Sequence, residues 1–105
     1  MTTLLAGDIG GTKTLLSLYR WQGDRLDLHA SQRYPSAAWD DLAAMVHHFL
    51  AGARGKGVDA PASACLAVAG PVRDGESRLT NLPWRLNADA LARACSIPCF
   101  CLLYT

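Results

Sequence analysis

Gly7-Asp8-Ile9-Gly10-Gly11-Thr12-Lys13-Thr14 is the stretch on which the reading of this chain turns. A short, largely apolar run over residues 3–9 leads into it and another, over 15–21, leaves it, so the pattern is strand, glycine-rich turn, strand. Glycine permits positive φ and close approach of backbone to a ligand. Successive N–H groups can then face phosphate oxygens, and Thr12 and Lys13 add a hydroxyl and a cation. Phosphate is the guest that suits this chemistry. Asp8 supplies a carboxylate at the strand end, where a hydrated Mg²⁺ can screen phosphate charge. Two other phosphate loops do not fit. A Walker loop needs Gly directly before Lys-Ser/Thr and then a helix, whereas Thr12 stands in that place and residues 15–21 read as strand. The GxGxxG spacing of a dinucleotide fingerprint is absent. A bare Gly-Gly is a plain turn; the flanking Asp8 and Thr12-Lys13-Thr14 favour phosphate.

Outward from this turn, Gln22-Gly23-Asp24 signals a second reversal, and the alternation Leu26, Leu28, Ala30 predicts a third antiparallel strand. Tyr34-Pro35-Ser36 breaks the pattern. With Ser36 as its cap, a helix is predicted through Leu42, Met45, Val46, Phe49 and Leu50, ending at Gly52, Gly55 and Gly57. Residues 62–69 form a continuous small-apolar run, the mark of a strand buried on both faces, stopped by Gly70-Pro71. Asp74-Gly75 turns a hairpin between Val72 and Leu79. Asn87 caps a second helix to Cys95 whose inner face is Leu86, Ala90, Leu91 and Ala94, and residues 97–104 read as another buried strand. The order β-β-β-α-β-(hairpin)-α-β, with a helix between the third and fourth strands, implies a parallel crossover and an α/β class with a mixed sheet.

The chain has 105 residues, half of them apolar and 18% charged, which suffices for one small domain with a core and not for two. Its net charge of +1 and lack of a long basic run give no reason to expect a nucleic-acid or anionic-membrane partner. The longest uncharged stretches, 60–72 and 95–105, fall short of the ~18 apolar residues of a membrane span. No basic residue precedes the first apolar run, so a cytoplasmic location is expected. Of the four cysteines, Cys65, Cys95, Cys99 and Cys101, none forms a CxxC pair, and no His stands near the last two; all four are expected to be reduced and in the core.

Three segments in order, LLAGDIGGTKT (4–14), CLAVAGPV (65–72) and LTNLPW (79–84), resemble the bacterial glucokinases of the hexokinase and actin-like ATPase superfamily. The resemblance extends to about Leu103. It implies the mixed-sheet N-terminal lobe of an actin-like, ribonuclease H-like fold and the transfer of phosphate from ATP to glucose with Mg²⁺. On that basis Gly7, Asp8, Ile9, Gly10, Gly11 and Thr12, with Lys13 adjacent, form the ATP phosphate loop, and Asp8 is the metal residue. The loop carrying Thr80, Asn81 and Trp84 lies on the sugar side. Its hydroxyl and amide suit sugar hydroxyls, while Trp84 either packs behind them or faces the sugar. The alternative is that Asn81 and Pro83 are turn residues and Trp84 is core.

The family mechanism also needs a carboxylate base. The resemblance implies an Asn-Asp pair just after the strand ending at Leu103; here Tyr104 and Thr105 follow, and no carboxylate comes after Asp89. The chain therefore reads as residues 1–105 of a single incomplete N-terminal lobe without its second lobe, inactive alone. The other readings are a kinase for another hexose, a non-catalytic sugar-sensing module related to sugar-kinase-like regulators, and a standalone interaction domain whose glycine loop is only a turn.

Overall fold

The computed structural model describes residues 2–55, 57, 60–78 and 84–104, the side chains of Arg78 and Tyr104 excepted. Among these residues eight strands and two α-helices follow one another: β1 (Thr2–Ile9), β2 (Lys13–Gln22), β3 (Arg25–Pro35), α1 (Leu42–Arg54), β4 (Ser63–Val68), β5 (Val72–Arg73), β6 (Glu76–Arg78), β7 (Arg85–Asn87), α2 (Ala88–Cys95) and β8 (Cys99–Tyr104). Five of the strands make one sheet in the order β3-β2-β1-β4-β8. The pairs β1–β2 and β2–β3 are antiparallel, whereas β1–β4 and β4–β8 are parallel, which is the mixed α/β sheet expected. β1, β4 and β8 thus bring their C-terminal ends to one edge of the sheet, the edge at which open α/β sheets hold ligands.

Helices cover one face of this sheet. Leu5, Ile9, Leu16, Leu18, Leu66, Val68 and Leu102 pack there with Leu42, Met45, Val46 and Phe49 of α1 and Leu91 and Cys95 of α2. The other face is open, and much of it is apolar. Trp21, Leu26, Leu28 and Leu103 are each about half exposed, at 53, 56, 58 and 49%. β4 is accordingly buried on one side only: Ala64, Leu66 and Val68 point into the core while Cys65 is exposed. This corrects the reading of residues 62–69 as a strand covered on both faces. It also corrects the cysteines: all four are free, but only Cys95 is buried, whereas Cys65, Cys99 and Cys101 are exposed.

The first helix starts later than its sequence signal. Asp41, not Ser36, is the cap of α1, its carboxylate accepting the Ala44 amide at 2.8 Å. Residues Ser36–Ala38 form a short 3₁₀ turn, and Ser36 is fully buried for a different purpose. Asn87 caps α2 through the Ala90 amide, as expected. Asp74 and Gly75 both take positive φ, 54° and 74°, the geometry of a two-residue hairpin turn between β5 and β6. That hairpin gains a third strand, β7, which holds Leu86; the residue belongs to a strand rather than to the second helix.

Candidate phosphate-binding site

The loop between β1 and β2 is residues 10–12. Gly10 donates its amide to the Lys13 carbonyl at 3.0 Å, closing the hairpin beyond the Ile9–Thr14 pair. A Cβ on Gly10 would lie 2.8 Å from that carbonyl oxygen, so glycine is required there by close approach. Positive φ is not the reason: among the described residues it occurs at Gly23, Gly57, Asp74, Gly75 and Ser96 and at neither Gly10 nor Gly11.

Ser36 holds the loop from beneath. Its backbone N–H donates to the Thr12 carbonyl at 3.0 Å, and its hydroxyl donates to the Gly10 carbonyl at 2.8 Å while lying 2.8 Å from the Thr14 hydroxyl. Thr14 and Ser36 are both fully buried. A trans peptide sets its C=O and the following N–H in opposite directions. Turning the Gly10 carbonyl onto Ser36 therefore aims the Gly11 amide away from Ser36. No acceptor among the described residues takes the Gly11 or Thr12 amide. Unpaired amides at the edge where parallel strands end have the chemistry to receive an anion.

The predicted loop residues divide by role. Thr12 and Lys13 are exposed beside these amides. Ile9 is fully buried, so only its backbone is available to the loop. Gly7 lies inside β1 on the core side, where a Cβ would meet Leu66 Cδ2 at 2.5 Å and Leu16 Cδ2 at 3.1 Å. Its glycine serves strand packing. Asp8 is exposed one residue further on, and the ladders align Leu103, Ala67, Asp8, Leu15 and Arg33 in one row on the open face. Asp8 has no ion-pair or hydrogen-bond partner among the described residues, and no group of three or more metal-binding side chains surrounds it there. A lone free carboxylate suits Mg²⁺, which takes one or two carboxylates and completes its shell with water and phosphate.

Sequence reasoning missed two residues here. Arg33, exposed, joins Thr12, Lys13, Tyr34 and Pro35 around a recess of about 310 Å³. Ser36 reaches the loop from 26 positions away through the β2–β3 register. Pairing of Lys13 with Pro35 was the signal that would have revealed both. Below them, the Tyr34 hydroxyl lies 3.0 Å from His48 Nδ1, with Trp39 edge-on to Tyr34. Burial pushes the Tyr34 phenol above its ordinary range, so it stays neutral. Of the sugar-side residues, Thr80 and Asn81 lie outside the described residues. Trp84 is core: 3% exposed, with Nε1 donating to the Trp39 carbonyl at 3.2 Å. It packs in the core, as the alternative reading expects.

The glucokinase family model matches residues 5–103. The chain belongs to the glucokinase family. It is 44% identical over 105 residues to the glucokinase of Nostoc sp. (strain PCC 7120 / SAG 25.82 / UTEX 2576), with 98% of this chain and 30% of that protein aligned. With the glucokinase of Caulobacter vibrioides (strain NA1000 / CB15N) it shares 36% over 90 residues, 86% of this chain and 26% of the other. The crystal structure of a glucokinase from an Antarctic psychrotroph superposes with a TM-score of 0.87 at 28% identity, over 99% of this chain and 32% of that one. The ROK hexokinase of Thermus thermophilus shares the fold at a TM-score of 0.66 and 23% identity, covering 98% and 35%. The chain thus spans about 30% of the length of the Nostoc relative it matches. Among the described residues no helix is long and apolar enough to cross a membrane.

Proposed function

We propose that this chain is the nucleotide-facing N-terminal lobe of a cytoplasmic glucokinase, which transfers the terminal phosphoryl group of ATP to glucose and yields glucose 6-phosphate. The observation that carries this reading is the pair of amides at Gly11 and Thr12, without an acceptor among the described residues, on a loop held by Ser36. Amides fixed before the ligand arrives cost little reorganisation, and they act on phosphate charge that grows during transfer. Lys13 and Arg33 add positive charge beside the same loop. Asp8 would hold the hydrated Mg²⁺ that accompanies the nucleotide, and Mg²⁺ supplies charge neutralisation on the phosphates. Thr80 and Asn81 are the proposed contacts to sugar hydroxyls.

Deprotonation of the attacking hydroxyl belongs to a carboxylate that residues 90–105 do not contain. The 105-residue polypeptide alone is therefore expected to release no ADP in response to glucose. The decisive experiment is a chimera in which residues 1–103 replace the aligned segment of the Nostoc glucokinase. Glucose-dependent ADP release by the chimera, falling at least ~100-fold on Asp8→Ala with folding intact, is the expected result. A chimera that folds and binds glucose yet turns over equally well with Asp8→Ala would contradict the assignment.

A further inference from the structure

The parallel register of β4 and β8 sets Ser63 beside Cys99, Cys65 beside Cys101 and Ala67 beside Leu103. Alternate residues of a strand share a face, so Cys65, Cys99 and Cys101 stand together on the open side of the sheet, exposed and unbridged. Geometry separates the three possible pairs. Neighbouring strands lie about 4.8 Å apart, inside the roughly 4.4–6.8 Å Cα separation that a disulfide spans, so Cys65 and Cys101 can be joined. Cys65 and Cys99 are related by the diagonal, about 8 Å, which is too far without backbone movement. Cys99 and Cys101 are nearly 7 Å apart along one strand, with side chains that stand side by side rather than converge. Cys95 sits in the core on α2.

We propose that Cys65 and Cys101 are a thiol pair that a peroxide closes into an intramolecular disulfide, with Cys99 outside the bridge. In the first step a thiolate sulfur attacks one peroxide oxygen; the O–O bond breaks, and the departing hydroxide takes up the proton that the thiol released. The resulting sulfenic acid is attacked at sulfur by the second thiol, the S–O bond breaks, and water leaves with that thiol's proton. Two thiols are oxidised and one peroxide is reduced to two waters. Partial burial raises Cys65, and the neighbouring Cys101 and Cys99 raise it further, so Cys65 attacks the sulfenic acid only by giving up its proton, which leaves in the water. Parallel-strand spacing exceeds the Cβ separation of about 3.8 Å that a disulfide prefers, so the bridge is strained, exposed and readily reduced.

The test uses the full 105-residue chain, with circular dichroism confirming the fold. It is treated with hydrogen peroxide, its remaining thiols are alkylated, and its peptides are mapped by mass spectrometry. The expected product is lighter by two hydrogens, carries a Cys65–Cys101 cross-link and returns to the dithiol with a reductant. Cys99→Ser keeps the bridge, while Cys65→Ser and Cys101→Ser each abolish it. A bridge containing Cys99, or a folded chain that gains only oxygen atoms, would overturn the proposal. The map of the unsubstituted chain decides even where a variant fails to fold.

Discussion

Leu66→Ala is expected to destabilise the fold by about 2–5 kcal/mol in urea unfolding. Leu66 is fully buried at the centre of β4, with Gly7 beside it on β1 and Leu102 on β8. Its Cδ2 occupies the space that a side chain at position 7 would need. Gly7→Ala alone is therefore an overpacking change, expected to cost about 1–3 kcal/mol. Combined, the two should not add, because the new methyl fills part of the cavity that the truncated leucine leaves. A double-mutant cycle is expected to give a coupling of at least ~1 kcal/mol. Additive costs would show that Gly7 is not required by Leu66 and would return it to consideration as a ligand-facing glycine.

Ser36→Ala should weaken both the fold and the loop. Its hydroxyl bonds the Gly10 carbonyl and faces the buried Thr14 hydroxyl, so removing it strips a hydrogen bond from groups with little access to water. Such a loss costs about 1–3 kcal/mol of stability. The Gly10–Gly11 peptide is then free to rotate, and affinity for Mg-ATP is expected to fall about tenfold, equivalent to ~1.4 kcal/mol. The measurements are urea unfolding and a nucleotide titration on the same preparation. A variant with both unchanged would show that Ser36 is a bystander. A variant that loses only stability would separate the packing of the 3₁₀ turn from the alignment of the amides.

Much of this was legible because local chemistry and tertiary demand agree. Asp74-Gly75 needs positive φ twice and supplies residues that tolerate it; Asn87 is a cap wherever it stands before a helix. The glycine loop announced itself because its residues are adjacent in sequence. Failures arose where a residue serves something distant. Ser36 resembles a helix cap locally, yet its partners are Gly10, Thr12 and Thr14, brought to it only by strand register. Gly7 stands next to a phosphate-binding pattern, but its hydrogen faces Leu66. Trp84 follows a polar loop while belonging to the core. Cys65, Cys99 and Cys101 sit in apolar runs, and hydropathy alone does not tell a strand covered on both faces from one covered on a single face.

On the proposed function, the Gly11 and Thr12 amides are an anion site built before any ligand binds. Titrating ¹⁵N-labelled chain with Mg-ATP, and with Mg-adenosine as the phosphate-free control, tests it most directly. The amide resonances of Gly11, Thr12 and Lys13 are expected to move most with ATP and to stay in place with adenosine, with Gly10, already bonded to Lys13, moving less. Equal shifts with both ligands, or ATP-dependent shifts that pass over Gly11 and Thr12, would contradict it.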